Sequence, residues 1–139
     1  MKTYFAKTFD EWKSEFLRAQ KEVDMLCNHN NAGIEDWDPK SAEKFFVENT
    51  EIPTGSMADW MARYNLIIAG RVPEEQGIWA AQIALRILDG TPPSDIPIVT
   101  NKRAKLTINM KIGNALGIVF DTALLETADI IGITTTHKK

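Results

Sequence analysis

The sequence predicts an α/β fold with a largely parallel sheet, and three observations carry that prediction. Short apolar runs at Val23–Cys27 and Leu66–Ala69 have the length of buried strands, and Ile52–Ser56 reads as a strand entering a loop. Helix signals alternate with them, at Thr8-Phe9-Asp10-Glu11, Asp38-Pro39 and Pro73. Polar, turn-rich loops follow the runs, as expected where strands all point one way and helices return the chain.

Thr3–Ala6 is aromatic and β-prone and reads as a first strand. Thr8 caps the first helix and Glu11, three residues on, closes a capping box. Trp12, Phe16, Leu17 and Ala19 then fall near one helical face. Val23–Cys27 is a buried strand ending in the turn-rich Asn28–Gly33. At the second helix Asp38 caps and Pro39 takes the first position, where its missing N–H costs nothing. That helix turns Ala42, Phe45 and Phe46 inward and stops near Asn49. Ile52–Ser56 enters another loop, Asp59-Trp60-Met61 forms a short helical turn, and Leu66–Ala69 is the next strand.

A long helix runs from Pro73 to Leu88, with Gly90 just past its end. Between Ile78 and Leu88 only Gln82 and Arg86 are polar. A surface helix normally carries one apolar stripe, so one apolar nearly all round needs cover on two sides. One side can be covered by the chain's own sheet and the other by a second layer, a partner subunit or a missing lobe. The plainer reading is a central helix wrapped by the chain's own C-terminal segments. Thr91-Pro92-Pro93 stiffens the connector, Ile96–Val99 reads as a short strand, and Asn101–Ala104 as a polar turn. Leu106, Ile108 and Met110 alternate with Thr107, Asn109 and Lys111, the pattern of a strand with one wet face. Gly117 and Asp121 separate two short helices, Ile112–Leu116 and Thr122–Ala128, and the polar tail TTTHKK is expected to fray.

With 139 residues the chain reads as one unit, 1–90 forming core β/α elements and 91–139 a connector, alternating strand and terminal helices. Apolar residues at 44% and charged residues at 25% are ordinary for a globular chain. A net charge of −3 supplies no electrostatic footprint for nucleic acid or an anionic membrane. The N-terminal MKTYFAKTFDEWK has no apolar core of a signal peptide. The single cysteine, Cys27, excludes an internal disulfide and reads as a small buried hydrophobe.

From Lys7 to about Asp129 the chain resembles the solute-binding proteins of ABC importers, in the branch that includes aromatic-amino-acid binders. The matching segments are AKTFDEWKSEF, VDML, NNAGIEDWD, EIPTGSMADWM, PEEQGIWAAQIALRILDG and SDIPIVTNKRAKLTINMKIGNALGI. Their order carries the resemblance, since no one of them is diagnostic alone. It implies one lobe of a type I periplasmic binding fold: three layers, a largely parallel sheet with helices on both faces, and a second lobe closing on the ligand. The chain would correspond to the second lobe and the C-terminal crossings. The parent would be extracytoplasmic, whereas a complete product without a signal peptide would be cytoplasmic.

Ligands of such sheets bind at the carboxyl ends of the strands, here Asn28–Gly33, Ser56–Trp60 and Gly70–Glu75. Carried over by position, the ligand-binding candidates are Asn30, Asn31, Ser56, Asp59 and Trp60. Amides and a hydroxyl can bond an amino acid's ammonium or carboxylate, Asp59 can pair with the ammonium, and Trp60 can stack on a ring. Against each stands a plainer reading, that Asn-Asn-Ala-Gly is turn chemistry and Trp60 a packing residue. Trp37 fits a packed capping-turn aromatic better than a cleft residue, and Trp12 and Trp79 read as core.

Cys27, His29, Asp36 and Asp38 match no zinc or calcium spacing, and no metal or cofactor is expected. Cys27 and His29 lack any residue to orient the histidine, and Thr54-Gly55-Ser56 lacks the second glycine of a nucleophile elbow. There is no phosphate loop, and Lys102–Lys105 reads as a solvated cluster. The expected function is therefore capture of a small metabolite without chemistry, weak in an isolated lobe. A homodimer through Ile78–Leu88 is expected, with an ABC permease as partner of the full-length parent only. The alternative is a dimerising module that binds no solute.

Overall fold

A computed structural model describes residues 1–133, so the tail from Thr134 to Lys139 lies outside the described residues. The helices are α1 (Phe9–Gln20), α2 (Pro39–Asn49), α3 (Pro73–Leu88), α4 (Met110–Ala115) and α5 (Thr122–Thr127). The strands are β1 (Leu26–Cys27), β2 (Thr54–Ser56), β3 (Ile67–Arg71), β4 (Ala104–Asn109) and β5 (Asp129–Ile131). They form a five-stranded sheet in the order β1-β2-β3-β4-β5. β1–β2, β2–β3 and β4–β5 pair parallel, and only β3–β4 is antiparallel. The fold is the α/β, largely parallel sheet with helices that the residue pattern predicts.

The helix starts follow the capping logic. The Thr8 hydroxyl accepts from the Glu11 N–H at 3.2 Å, while the Glu11 carboxylate accepts from the Lys7 N–H at 2.8 Å. Asp38 accepts from the Ser41 N–H at 2.7 Å, with Pro39 at the first helical position. Gly90 ends α3 in the left-handed region, at φ 95°, where a Cβ would be strained.

One face of the sheet carries the core. Thr54 and Ile68 are buried there, beneath Phe9, Phe16, Ala42, Phe46, Met61 and Tyr64. The rings interlock edge to face: Phe16 on Phe46 at 4.8 Å, Phe9 on Trp37 at 5.1 Å, and Trp37 on Tyr64 at 5.1 Å. Trp37 also donates its indole N–H to the Tyr64 hydroxyl at 3.3 Å, so it is the packed aromatic of the plainer reading. Gln20 ties α1 to the end of α2, donating to the Asn49 carbonyl and accepting from the Glu51 N–H.

Several expectations are corrected. Thr3–Ala6 is not a strand: it pairs with no strand among the described residues, Phe5 is exposed, and Lys2 and Tyr4 instead bond Glu22 beyond α1. Ile96–Val99 is not a strand either, because Pro97 removes a donor from its middle, and Ile98 and Val99 stand in solvent. Cys27 is exposed, not buried. It pairs in register with Gly55, which in turn pairs with Ile67, and so lies on the face opposite the aromatic core. Cover on that face thins towards β1: Ile108 is fully buried, Ile67 half-buried and Cys27 open.

The long helix gives the largest departure. None of its residues is buried, and Ile78, Leu85 and Leu88 are 59%, 62% and 81% exposed. Cover of one side by the chain's own sheet and wrapping by its C-terminal segments are both overturned among the described residues. Trp79 is half-exposed on this helix and is not core. Its first turn is nonetheless anchored. Glu75 accepts from the Lys102 and Arg103 N–H groups at 2.9 and 3.0 Å.

Candidate functional site

The candidate residues gather along one rim because β1, β2 and β3 run parallel. Asn28 follows β1 and its N–H donates to the Gly55 carbonyl at 2.8 Å, extending the ladder to the start of the first loop. Ser56 closes β2 and pairs with Ile68. β4 runs the other way, so its beginning lies at the same rim, with Ala104 opposite Arg71 and Lys105 opposite Gly70. The rim is therefore wider than the three loops legible in the sequence, since β4 adds Lys105 to it.

Buried polar pairs hold the first loop. Asn28 donates to the Asn65 side-chain oxygen at 2.8 Å, and the Asn65 amide donates to the Met61 carbonyl at 3.0 Å. Asn65 is fully buried. Asn30 is exposed, and its side-chain oxygen accepts from the Ala32 N–H at 3.0 Å, a local turn that occupies one end of its amide. Asn31 is half-buried and its carbonyl receives the Ile34 N–H.

Ser56 is buried and committed within the rim. Its hydroxyl donates to the His29 carbonyl at 3.3 Å and accepts from the Ala58 N–H at 3.2 Å. It joins the first loop to the second, which makes it an organiser of both. Asp59 and Trp60 open a 3-10 segment, Asp59–Tyr64, whose other end plugs Met61 and Tyr64 into the core. That anchoring holds Asp59 and Trp60 outward, Trp60 at 63% exposure.

Asp59 sits against the β3 backbone at Gly70. A Cβ at Gly70 would collide with the Asp59 carboxylate, so glycine is what lets the acid lie there. On β4, opposite Gly70, Lys105 bonds Asp129 of β5 at 2.7 Å. That bond is the main cause holding the Lys105 ammonium above its ordinary value, with Asp59 adding to it. Gly70, Lys105 and Asp129 were not among the candidate residues. For Lys105 the available signal was its alternation with Leu106 and Ile108, which puts it on a strand and not in a turn.

Two open hollows lie apart from these residues. One is bounded by Phe5, Asp10 and Ser14, the other by Glu43, Arg63, Asn109 and Lys111. Among the described residues no group of His, Cys, Asp or Glu is arranged to hold a metal, and no helix is long and apolar enough to cross a membrane.

A mostly parallel sheet with its polar loops on one rim is the architecture of a periplasmic-binding-protein domain. The model of the ABC transporter substrate binding protein family matches residues 48–131, and the chain belongs to that family. The family is one of substrate binders and not of catalysts. No curated protein matches the chain.

Solved structures share the fold. A substrate-binding protein with adhesive properties from Clostridium difficile, in a ligand-free, open form, is 20% identical with a TM-score of 0.63, over 96% of this chain and 43% of its own. An ABC domain from Streptococcus pneumonia in complex with L-Trp is 21% identical with a TM-score of 0.60, over 94% and 44%. A conserved domain protein from Vibrio cholerae is 20% identical with a TM-score of 0.60, over 90% and 42%. The chain thus spans less than half the length of these structures.

Proposed function

We propose that this chain is a single lobe of an ABC importer's solute-binding protein, contributing half of a cleft that captures a small metabolite, an amino acid being the best fit. The observation that supports it most is the convergence of Asn30, Asn31, Ser56, Asp59 and Trp60 on the carboxyl rim of β1–β3, in a chain of this family. Asn30, Asp59 and Trp60 would touch the solute, while Ser56 and Asn31 shape the loops. Capture proceeds by hinge closure against a second lobe, without covalent chemistry. The parent would work outside the cytoplasm and deliver to a permease.

With half the clamp, the lobe alone binds weakly. Thermal melts across an amino-acid panel at millimolar concentration test this, because anything bound by the native state raises Tm. A rise confined to a few solutes is expected. A flat panel would sink the capture reading.

The bare α3 supports a second reading, a homodimer that covers Ile78, Leu85 and Leu88 with the same helix of another copy. Light scattering across a concentration series decides it. A monomer at the highest concentration excludes the dimer, and a tight dimer with a flat solute panel favours a dimerising module.

A further inference from the structure

The rim holds an alternating line of charge. The Asp59 carboxylate lies on the β3 backbone at Gly70. Lys105 is the register partner of Gly70, and Asp129 bonds its ammonium at 2.7 Å. Register partners share a face of the sheet, so Lys105 stands on the side from which Asp59 approaches. Lys105 and Asp129 are both more than half exposed. Among the described residues Asp59 takes part in no salt bridge, although its charge reaches Lys105.

We propose that Asp59 and Lys105 together read the head group of a zwitterionic solute, Asp59 taking its ammonium and Lys105 its carboxylate. The inference rests on the solute-binding reading of this rim and deepens it. An ammonium has three donors, so Lys105 keeps its bond to Asp129 while donating to a ligand carboxylate. Asp129 is a positioning residue: it touches Lys105 and not the solute. Asp59 lies over Gly70 on β3 and Lys105 is Gly70's partner on β4, so an acid and a base face the same side of one strand pair, which suits the two charges of an α-amino acid. A plain amine or a plain acid would leave one of them without a partner. Gly70 is integral to the arrangement, since any side chain there would push the acid off the strand.

The test is an NMR titration of the full chain with three probes at millimolar concentration: L-tryptophan, tryptamine and indole-3-propionate. They share the indole and differ only in which head-group charges they carry. The expected order places L-tryptophan tightest, with shifts centred on Ser56, Asp59, Gly70 and Lys105. Asp59→Asn is expected to weaken L-tryptophan and tryptamine by about fivefold to tenfold, the scale of one charge-assisted hydrogen bond at a wet site, and to spare indole-3-propionate. Lys105→Met is expected to weaken L-tryptophan and indole-3-propionate similarly and to spare tryptamine. Asp129→Asn should reproduce part of the Lys105→Met pattern, with Asp129→Glu restoring it, which a merely structural role would not do.

Equal binding of the three probes, or unchanged L-tryptophan affinity in both charge variants, overturns the reader while leaving solute capture in place. No rim shift with any probe also overturns it, and the melting panel then decides separately whether another solute is captured.

Discussion

At the scale of single residues, the rim depends on contacts that hold its loops as much as on groups that face a ligand. Asn65 is the main example. It is fully buried, receives the Asn28 amide and donates to the Met61 carbonyl. Asn65→Ala strands a buried donor on Asn28, and a buried group left without its partner costs about 1–3 kcal/mol. The expected outcome is a loss of that size in urea denaturation, together with faster amide exchange in Asn28–Asn31. Gly70 behaves differently. Gly70→Ala forces the Asp59 carboxylate away, but that side chain is exposed and can rotate into water. Stability should change by less than about 1 kcal/mol, since alanine is also the better strand former. A crystal structure of the variant should nevertheless show Asp59 displaced, separating a positional role for Gly70 from a stabilising one. Ser56 lies between these cases, because its hydroxyl is spent on His29 and Ala58 before any ligand arrives.

At the scale of elements, capping residues and prolines wrote the helix boundaries directly into the chain. α2 runs from Pro39 to Asn49 and α3 from Pro73 to Leu88, as their start and stop signals predict. The strands were less legible. β1 has two residues and β5 three, too short for a period of two to declare itself, and β5 went unpredicted. Glu75 gives the element scale its clearest test. The backbone N–H groups of Lys102 and then Arg103 hold its carboxyl below the ordinary value of 4.5. The folded state thus binds this proton less readily than the unfolded chain. The stabilising effect of the clamp is complete above about pH 4.5 and is lost as pH falls through the lowered value. Amide resonances of Lys102 and Arg103 should therefore titrate below pH 4.5, and Glu75→Gln should abolish that titration. A midpoint at or above 4.5 would contradict the clamp.

At the scale of the whole molecule, the aromatic face and the bare helix are opposite solutions to burial. Phe9, Phe16, Phe46 and Tyr64 bury their rings among themselves and on the sheet, so this side is complete within the chain. α3 is held at its first turn by Glu75 and leaves Leu85 and Leu88 in solvent. If a second copy covers them, Leu85→Glu combined with Leu88→Glu buries charge at the contact. The double variant should run as a monomer at concentrations where the parent chain dimerises, with an unchanged melting temperature at low concentration. An unchanged mass in light scattering would place the contact elsewhere. The chain spans less than half the length of the structures it resembles, so under the proposed function a second lobe would compete for the same face. Adding that lobe should then suppress the dimer.

The sequence by itself determined the alternation of helix and strand, the capped starts of α1 and α2, and the proline start and glycine stop of α3. Those properties are local: a capping hydroxyl, a proline ring or an apolar period acts within a turn or two of chain. The tertiary structure decided what depends on residues far apart. It reversed β4 against β3 and so brought Lys105 beside Gly70 and Asp59, a meeting that depends on the register of the β3–β4 ladder. It left Cys27 exposed, because alternation fixes that two neighbours face opposite ways but not which face the rings will fill. It also showed α3 uncovered by the described residues of its own chain, because burial is a property of what surrounds a helix and not of the helix.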